Sequence, residues 1–202
     1  MCGSMVVMGE KERKKILLHI CCAPCTIYPL TRLREDGWEV FGYFYNLNIH
    51  PYQEFQKRLE TLKNFANMVD LRLILREEYD VEHFIRQVVF RESKRCYYCY
   101  THRLEAAARL AKKSGFDSFT TTLLYSKQQR HDLIREIAEG ISRKIGIPFH
   151  YEDFREGWKM GIEKSKELGL YRQQYCGCIY SEAERFMRKG NEQQPSTRKH
   201  KH

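Results

Sequence analysis

Two kinds of hydrophobic pattern alternate along the chain. Short apolar runs at 14–20 ("KKILLHI"), 38–46 ("WEVFGYFYN"), 71–75 ("LRLIL"), 118–126 ("SFTTTLLYS") and 148–153 ("PFHYED") have the length and composition of strands. Between them the period lengthens to that of a helix. "TIYPLTRLREDG" is closed by Gly37, and 51–69 opens on Pro51 with Phe55, Leu59, Leu62, Phe65 and Ala66 on one face. Further helices read at "DVEHFIRQVV", at 99–115 ending on Gly115, and over about 128–145. Strand–helix alternation repeated five times predicts an α/β fold: a parallel sheet of about five strands, right-handed crossovers and helices on both faces. Past residue 155 the pattern is helical and irregular, and past about 189 it is polar. No repeat or linker divides the chain. The expected plan is one α/β domain over residues 1–189, followed by a basic, disordered tail over 190–202.

No apolar run approaches the roughly 20 residues that a membrane helix requires. The opening "MCGSMVVMGEKERKK" lacks the continuous apolar stretch of a signal peptide. The expected location is therefore the cytoplasm, where thiols stay reduced. There, eight cysteines read as metal ligands or redox groups rather than as structural bridges. The formal charge is +9. Arg188, Lys189, Arg198, Lys199 and Lys201 against Glu192 supply +4 of it, which leaves a body still basic enough to suit a polyanionic partner such as nucleic acid.

Seven cysteines fall into three groups: Cys21-Cys22-x-x-Cys25, Cys96-x-x-Cys99 and Cys176-Gly-Cys178; Cys2 stands apart and receives no role. In an open parallel sheet, ligands bind beyond the carboxyl ends of the strands. Cys21, Cys22 and Cys25 follow the first strand directly, so they belong to that edge. Cys-x-x-Cys at a helix start lets two thiolates converge on one metal, with the helix N-terminus stabilising their charge. Zinc and iron–sulfur clusters both accept such sets. The 70-residue separation and the position at the ligand edge favour iron–sulfur. Cys176-Gly177-Cys178 differs in kind, since a disulfide there closes a small, strained ring of the labile sort. A redox dithiol, further metal ligation and two free thiols are the three readings of that pair, and ring strain favours the first.

The first strand is followed by no Ser-Gly-Gly loop, no G-x-x-x-x-G-K-[ST] and no G-x-G-x-x-G. Nucleotide phosphates have no evident cradle, which weighs against ATP-dependent chemistry and against nicotinamide or flavin sites of that type. Other polar residues fall at the same edge. Asn46, Asn48 and His50 follow the second strand, as substrate contacts or loop caps. Thr121, Thr122 and Ser126 surround the end of the fourth, as hydroxyl ligands or strand interior. Glu152, Asp153 and Arg155 follow the fifth, with Asp153 a candidate acid or metal neighbour. Tyr97, Tyr98 and Tyr100 interleave with the second thiol pair, where they pack around it or stack a base.

"LLHICCAPC", "YFYNLNIHPYQEF", "KRCYYCY", "TTTLLYSKQQ", "YEDFREGW" and "YRQQYCGCIYSEAE" together resemble the QueH-type epoxyqueuosine reductases, in order from about residue 15 to 187. The resemblance implies an adenine nucleotide α-hydrolase (PP-loop)-like fold with a cluster in the place of ATP. It implies two-electron reduction of the epoxide of epoxyqueuosine to queuosine, at the wobble position of a tRNA anticodon, without cobalamin. Carried over by position, Cys21, Cys22, Cys96 and Cys99 hold a [4Fe–4S] cluster, and Cys176 and Cys178 form a redox-active disulfide pair. Cys25 is left as a spare thiol, a neighbour of the cluster or a ligand of an additional iron. The implied partners are a tRNA anticodon loop and an electron donor. Two other readings stand beside this one: a PP-loop-type iron–sulfur tRNA sulfurtransferase, which should carry the missing Ser-Gly-Gly loop, and a zinc-stabilised RNA-binding module.

Overall fold

The computed structural model describes residues 13–191. Cys2 and the tail beyond 191 lie outside the described residues. The first strand, β1 (Lys15–Ile20), buries Ile16, Leu17, Leu18, His19 and Ile20 completely. A parallel strand covered on both faces has no solvent side, so its sequence reads as a continuous apolar run. It is followed by α1 (Ala23–Glu35), β2 (Glu39–Phe44), α2 (Tyr52–Met68) and β3 (Arg72–Leu75). Then come α3 (Val81–Val88), α4 (Arg95–Lys113), β4 (Ser118–Thr121), α5 (His131–Ile145), α6 (Trp158–Glu167) and α7 (Ile179–Asn191).

The sheet is parallel in the order β3-β2-β1-β4. The chain steps outward from β1 through β2 to β3, then returns across the sheet to place β4 on the other side of β1. Right-handed crossovers put α1 and α2 on one face and α4 on the other. Consistent with this, α6 packs on α1 while α5 packs on α4. The reversal of strand order therefore lies between β1 and β4. That crevice is where an open α/β sheet binds its ligands.

The structure revises three boundaries. The segment 148–153 is a single bridge, Phe119 with Phe149, rather than a full fifth strand. Phe119 N donates to Pro148 O (3.1 Å) and His150 N donates to Phe119 O (2.9 Å), while proline has no N–H to extend the ladder. β4 stops at Thr121, whose side chain accepts from Leu123 N at 3.1 Å and starts the 3₁₀ turn Thr122–Tyr125. Finally, α4 begins four residues ahead of the pattern-based start, so Cys96 and Cys99 both lie inside its first turns, three positions apart on one face.

Candidate thiol centre

β1 ends at Ile20 and delivers Cys21, Cys22 and Cys25 to the crevice. Cys22 is the N-cap of α1, with extended backbone (φ −168°, ψ 163°) and no side-chain cap. The unsatisfied N–H groups of that first turn are available to an anion, and the turn contains no acidic residue to compete. Pro29, four residues after Cys25, cannot donate to the Cys25 carbonyl. The sulfurs of Cys21, Cys22 and Cys25 all lie within 4.8 Å of one another, with Cys21 and Cys22 3.8 Å apart. The end of β4 closes the group, because Cys21 N donates to Thr122 Oγ1 (3.1 Å) and that hydroxyl donates to Cys21 Sγ (3.3 Å). Gln173 Nε2 reaches Cys22 Sγ at 2.9 Å and Cys25 Sγ at 3.8 Å.

Cys96 and Cys99 are not part of that three-sulfur group, and of the two Cys99 is held by a buried side chain, Arg103. Arg103, one turn beyond Cys99 on α4, is 1% exposed. It donates from Nη1 to Cys99 Sγ (3.6 Å), from Nη2 to Asn46 Oδ1 (2.5 Å) and from Nε to His19 Nε2 (3.3 Å). Burial, with Arg103 adding to it, holds His19 at about 3, so its ring is neutral and can accept that bond. His19 Nδ1 is hydrogen-bonded with Thr121 Oγ1 at 2.8 Å, and its Nε2 also lies 3.3 Å from Tyr45 O. Among the described residues no carboxylate lies within salt-bridge reach of Arg103. A buried guanidinium without a counter-charge is strongly unfavourable, and the nearby groups able to become anionic are thiols. Burial opposes the Arg103 charge, and Cys99 and Cys21 more than offset it.

The thiols divide accordingly. Hydrogen bonds from Cys22 and Cys25, aided by Arg103 and Thr122, pull Cys21 well below the ordinary thiol range in spite of its burial. Burial first, and Cys21 second, push Cys22 up. Burial pushes Cys99 up to about 12 and also raises Cys96. One thiolate surrounded by protonated thiols suits a site that gives up its protons when a thiophilic metal binds. The donor set thus fits iron or an iron–sulfur cluster, and by ligand type alone it fits zinc equally.

Cys176, Gly177 and Cys178 form a pinned loop ahead of α7. Buried Arg58 on α2 donates from Nη1 to Cys176 O (2.7 Å) and from Nη2 to Tyr175 O (3.1 Å). Its charge is balanced by Glu54 at 2.7 Å, whose other oxygen accepts from Tyr171 at 2.5 Å. His50 N donates to Gly177 O (2.8 Å), and the Tyr175 hydroxyl donates to His50 O (2.5 Å). The Ser181 hydroxyl accepts from Gly177 N and donates to Cys178 O. Cys176 is exposed, Cys178 is buried, and both are free thiols. Gln129 links this loop to α4, donating to Cys176 Sγ at 3.1 Å while accepting from Tyr100 at 2.7 Å.

Most residues singled out from the sequence border this crevice, in more structural roles than substrate contact. Asn46 ties β2 to β1 by donating to Ile20 O at 2.9 Å. Asn48 and His50 lie buried beneath Gly177. Asp153 caps the 3₁₀ turn Phe154–Gly157 and is gripped by Arg155 at 2.8 and 2.5 Å. That pairing holds its carboxyl at about 2 and leaves it ionised, which is unfavourable for a proton donor. Pattern reading missed Arg58, Arg103 and Gln173. The signal for Arg58 was present, since it occupies the same helical stripe as Phe55, Leu59 and Leu62.

The fold and site together define an open parallel α/β protein with three thiols, Cys21, Cys22 and Cys25, converging just past its first strand. A solved structure is similar in fold alone: a predicted subunit of tRNA methyltransferase from Methanocaldococcus jannaschii superposes with a TM-score of 0.54 at 10% identity, over 76% of this chain and 75% of that one. Sequence similarity goes further. The family described as "Epoxyqueuosine reductase QueH" matches residues 16–184. The epoxyqueuosine reductase QueH of Dehalococcoides mccartyi is 38% identical over 172 residues, covering 85% of this chain and 94% of that protein. The Thermotoga maritima protein of the same name is 37% identical over 180 residues, covering 84% and 91%. The chain belongs to the QueH family of epoxyqueuosine reductases, which are oxidoreductases. Among the described residues no helix is long and apolar enough to cross a membrane.

Proposed function

We propose that this protein reduces the epoxide of epoxyqueuosine in a tRNA anticodon to the alkene of queuosine, with a [4Fe–4S] cluster on Cys21, Cys22, Cys96 and Cys99 and a dithiol on Cys176 and Cys178. The setting is the cytoplasm. The observation that carries the reading is Arg103, a buried cation bonded to Cys99 with no carboxylate in reach among the described residues, beside three converging thiols just past the first strand. A thiol-bound cluster would supply one-electron transfer and an iron able to accept the departing oxygen. The overall change takes two electrons and two protons, opens both epoxide C–O bonds, forms the alkene and releases the oxygen as water. Oxidation of Cys176 and Cys178 to a disulfide balances it, releasing two electrons and two protons. An external electron donor then reopens the disulfide.

The surrounding residues prepare this dithiol. Arg58 holds the carbonyls of Tyr175 and Cys176 and His50 that of Gly177, so the two thiols are carried on a constrained loop. Gln129 holds the exposed Cys176 by a hydrogen bond and is itself oriented by Tyr100. Gln173 lies against Cys22 and Cys25, between the thiol centre and the dithiol loop in sequence and near both in space. Anaerobically prepared protein should contain iron and labile sulfide and should convert epoxyqueuosine-tRNA to queuosine-tRNA, read by nucleoside mass spectrometry. Zinc without iron, or no conversion by iron-loaded protein given a reductant, would overturn the proposal.

A further inference from the structure

We propose that Phe90 is a stacking platform for an unpaired base of the RNA that this protein acts on, a proposal that rests on the tRNA reading above. Phe90 stands between α3 and α4 in a left-handed backbone conformation (φ +60°), and it is 94% exposed. Both features raise the free energy of the folded state. A bulky residue in the left-handed region is a steric outlier, and glycine would occupy it at lower energy. A fully exposed aromatic ring also gains no burial. Its neighbour two positions earlier, Val88, is completely buried, so the core is served by a different residue of the same segment. Strain of this kind persists where the surroundings impose it, and it points toward function.

The surroundings do impose it. Phe90 N donates to Glu92 Oε1 at 3.0 Å, Arg91 N to Val88 O at 2.9 Å and Lys94 N to Arg91 O at 2.8 Å. These bonds fix the turn and hold the ring out to solvent. Two cations, Arg91 and Lys94, flank Phe90, with the Glu92 carboxylate turned onto the Phe90 N–H between them. Arg91 and Lys94 are exposed, and among the described residues neither has a carboxylate within salt-bridge reach. Tyr97, 54% exposed, adds a second aromatic surface at the start of α4. Cys96 follows six positions after Phe90, a span of at most about 20 Å that the 3₁₀ turn Glu92–Lys94 shortens. An aromatic face, flanking cations and proximity to the thiol centre are what a splayed anticodon loop requires: one base on the ring, phosphates on the cations, and the modified base in the crevice.

The test is the affinity of the full-length protein for an anticodon stem-loop RNA, with Phe90→Ala, Phe90→Gly and Phe90→Trp beside the wild type. Loss of a stacked base should weaken binding roughly 5- to 100-fold in the Ala variant. Phe90→Gly should weaken it equally while raising Tm, because glycine relieves the backbone; a merely structural phenylalanine would instead lower Tm when removed. Phe90→Trp should keep wild-type affinity and show fluorescence quenching as the RNA is added. Wild-type affinity in the Ala and Gly variants, or a Trp signal indifferent to saturating RNA, would overturn the proposal. Unchanged RNA affinity with turnover lost only when an external reductant protein is required would overturn it in favour of a docking site for that protein. Failure of the wild type itself to bind the RNA would sink the tRNA reading and this inference with it.

Discussion

The two thiol regions are built by opposite means. Cys21, Cys22 and Cys25 sit where a central strand ends and a helix begins, so regular secondary structure sets their spacing, and Arg103 brings a buried positive charge bonded to Cys99, Asn46 and His19 with no carboxylate in reach among the described residues. Cys176 and Cys178 sit in a loop with no regular structure of its own. Side chains from elsewhere, Arg58 above all, hold its backbone carbonyls. The difference matches two kinds of chemistry. A metal centre needs thiols that stay fixed and protected. The redox pair proposed above needs thiols that are positioned yet open to attack, a requirement that exposed Cys176 next to buried Cys178 would meet.

The two buried arginines make the contrast testable. Arg58 has a buried carboxylate partner, Glu54, and Arg103 has none among the described residues. Replacing Arg58 by Met leaves buried Glu54 uncompensated and frees the carbonyls of Tyr175 and Cys176. It should cost about 3–5 kcal/mol in urea unfolding, the largest stability effect anticipated here. A loss below about 1 kcal/mol would mean that the loop is not pinned by Arg58. Replacing Arg103 by Met removes a buried cation that has no carboxylate partner among the described residues and is bonded to Cys99, Asn46 and His19. That change should leave apo-protein stability nearly unaltered or raised, while weakening iron retention about 10- to 100-fold against a chelator. If both variants lost stability alike and iron were retained, the contrast would fail. The smallest effect belongs to Gly177→Ala. Gly177 has φ +154°, and an added Cβ would meet Asn48 Nδ2 at 3.1 Å and Ile49 Cγ1 at 3.3 Å. A loss of about 1–2 kcal/mol is expected, with iron content unchanged.

Legibility in the sequence followed the same division. β1 to β4 and α1 to α5 were readable because each buries a face or a whole strand, and burial writes periodicity into the chain. The fifth segment misled, since "PFHYED" has strand composition but pairs at one position only; Pro148 and the Asp153 cap leave no room for a ladder. In the thiol centre, Cys21, Cys22 and Cys25 were assigned to the ligand edge from position alone, and the sheet order puts them at the switch point. Asp153 stood out in sequence as an acid, but a carboxylate reads the same whether it faces a substrate or Arg155. Arg103 was invisible for the converse reason. On an amphipathic helix an arginine reads as solvent-facing, and only the three-dimensional approach of His19, Asn46 and Cys99 reveals it as buried.

The central claim is that the metal thiols and the redox thiols are separate sets serving one reduction. The most direct measurement is iron and labile sulfide content of Cys178→Ser, taken beside its single- and multiple-turnover conversion of epoxyqueuosine-tRNA. The variant should keep its full iron and sulfide and lose multiple turnover, because its dithiol no longer closes and reopens. Loss of iron would place Cys178 among the metal ligands, and full iron with wild-type steady-state conversion would remove the dithiol from the mechanism; either result contradicts the account.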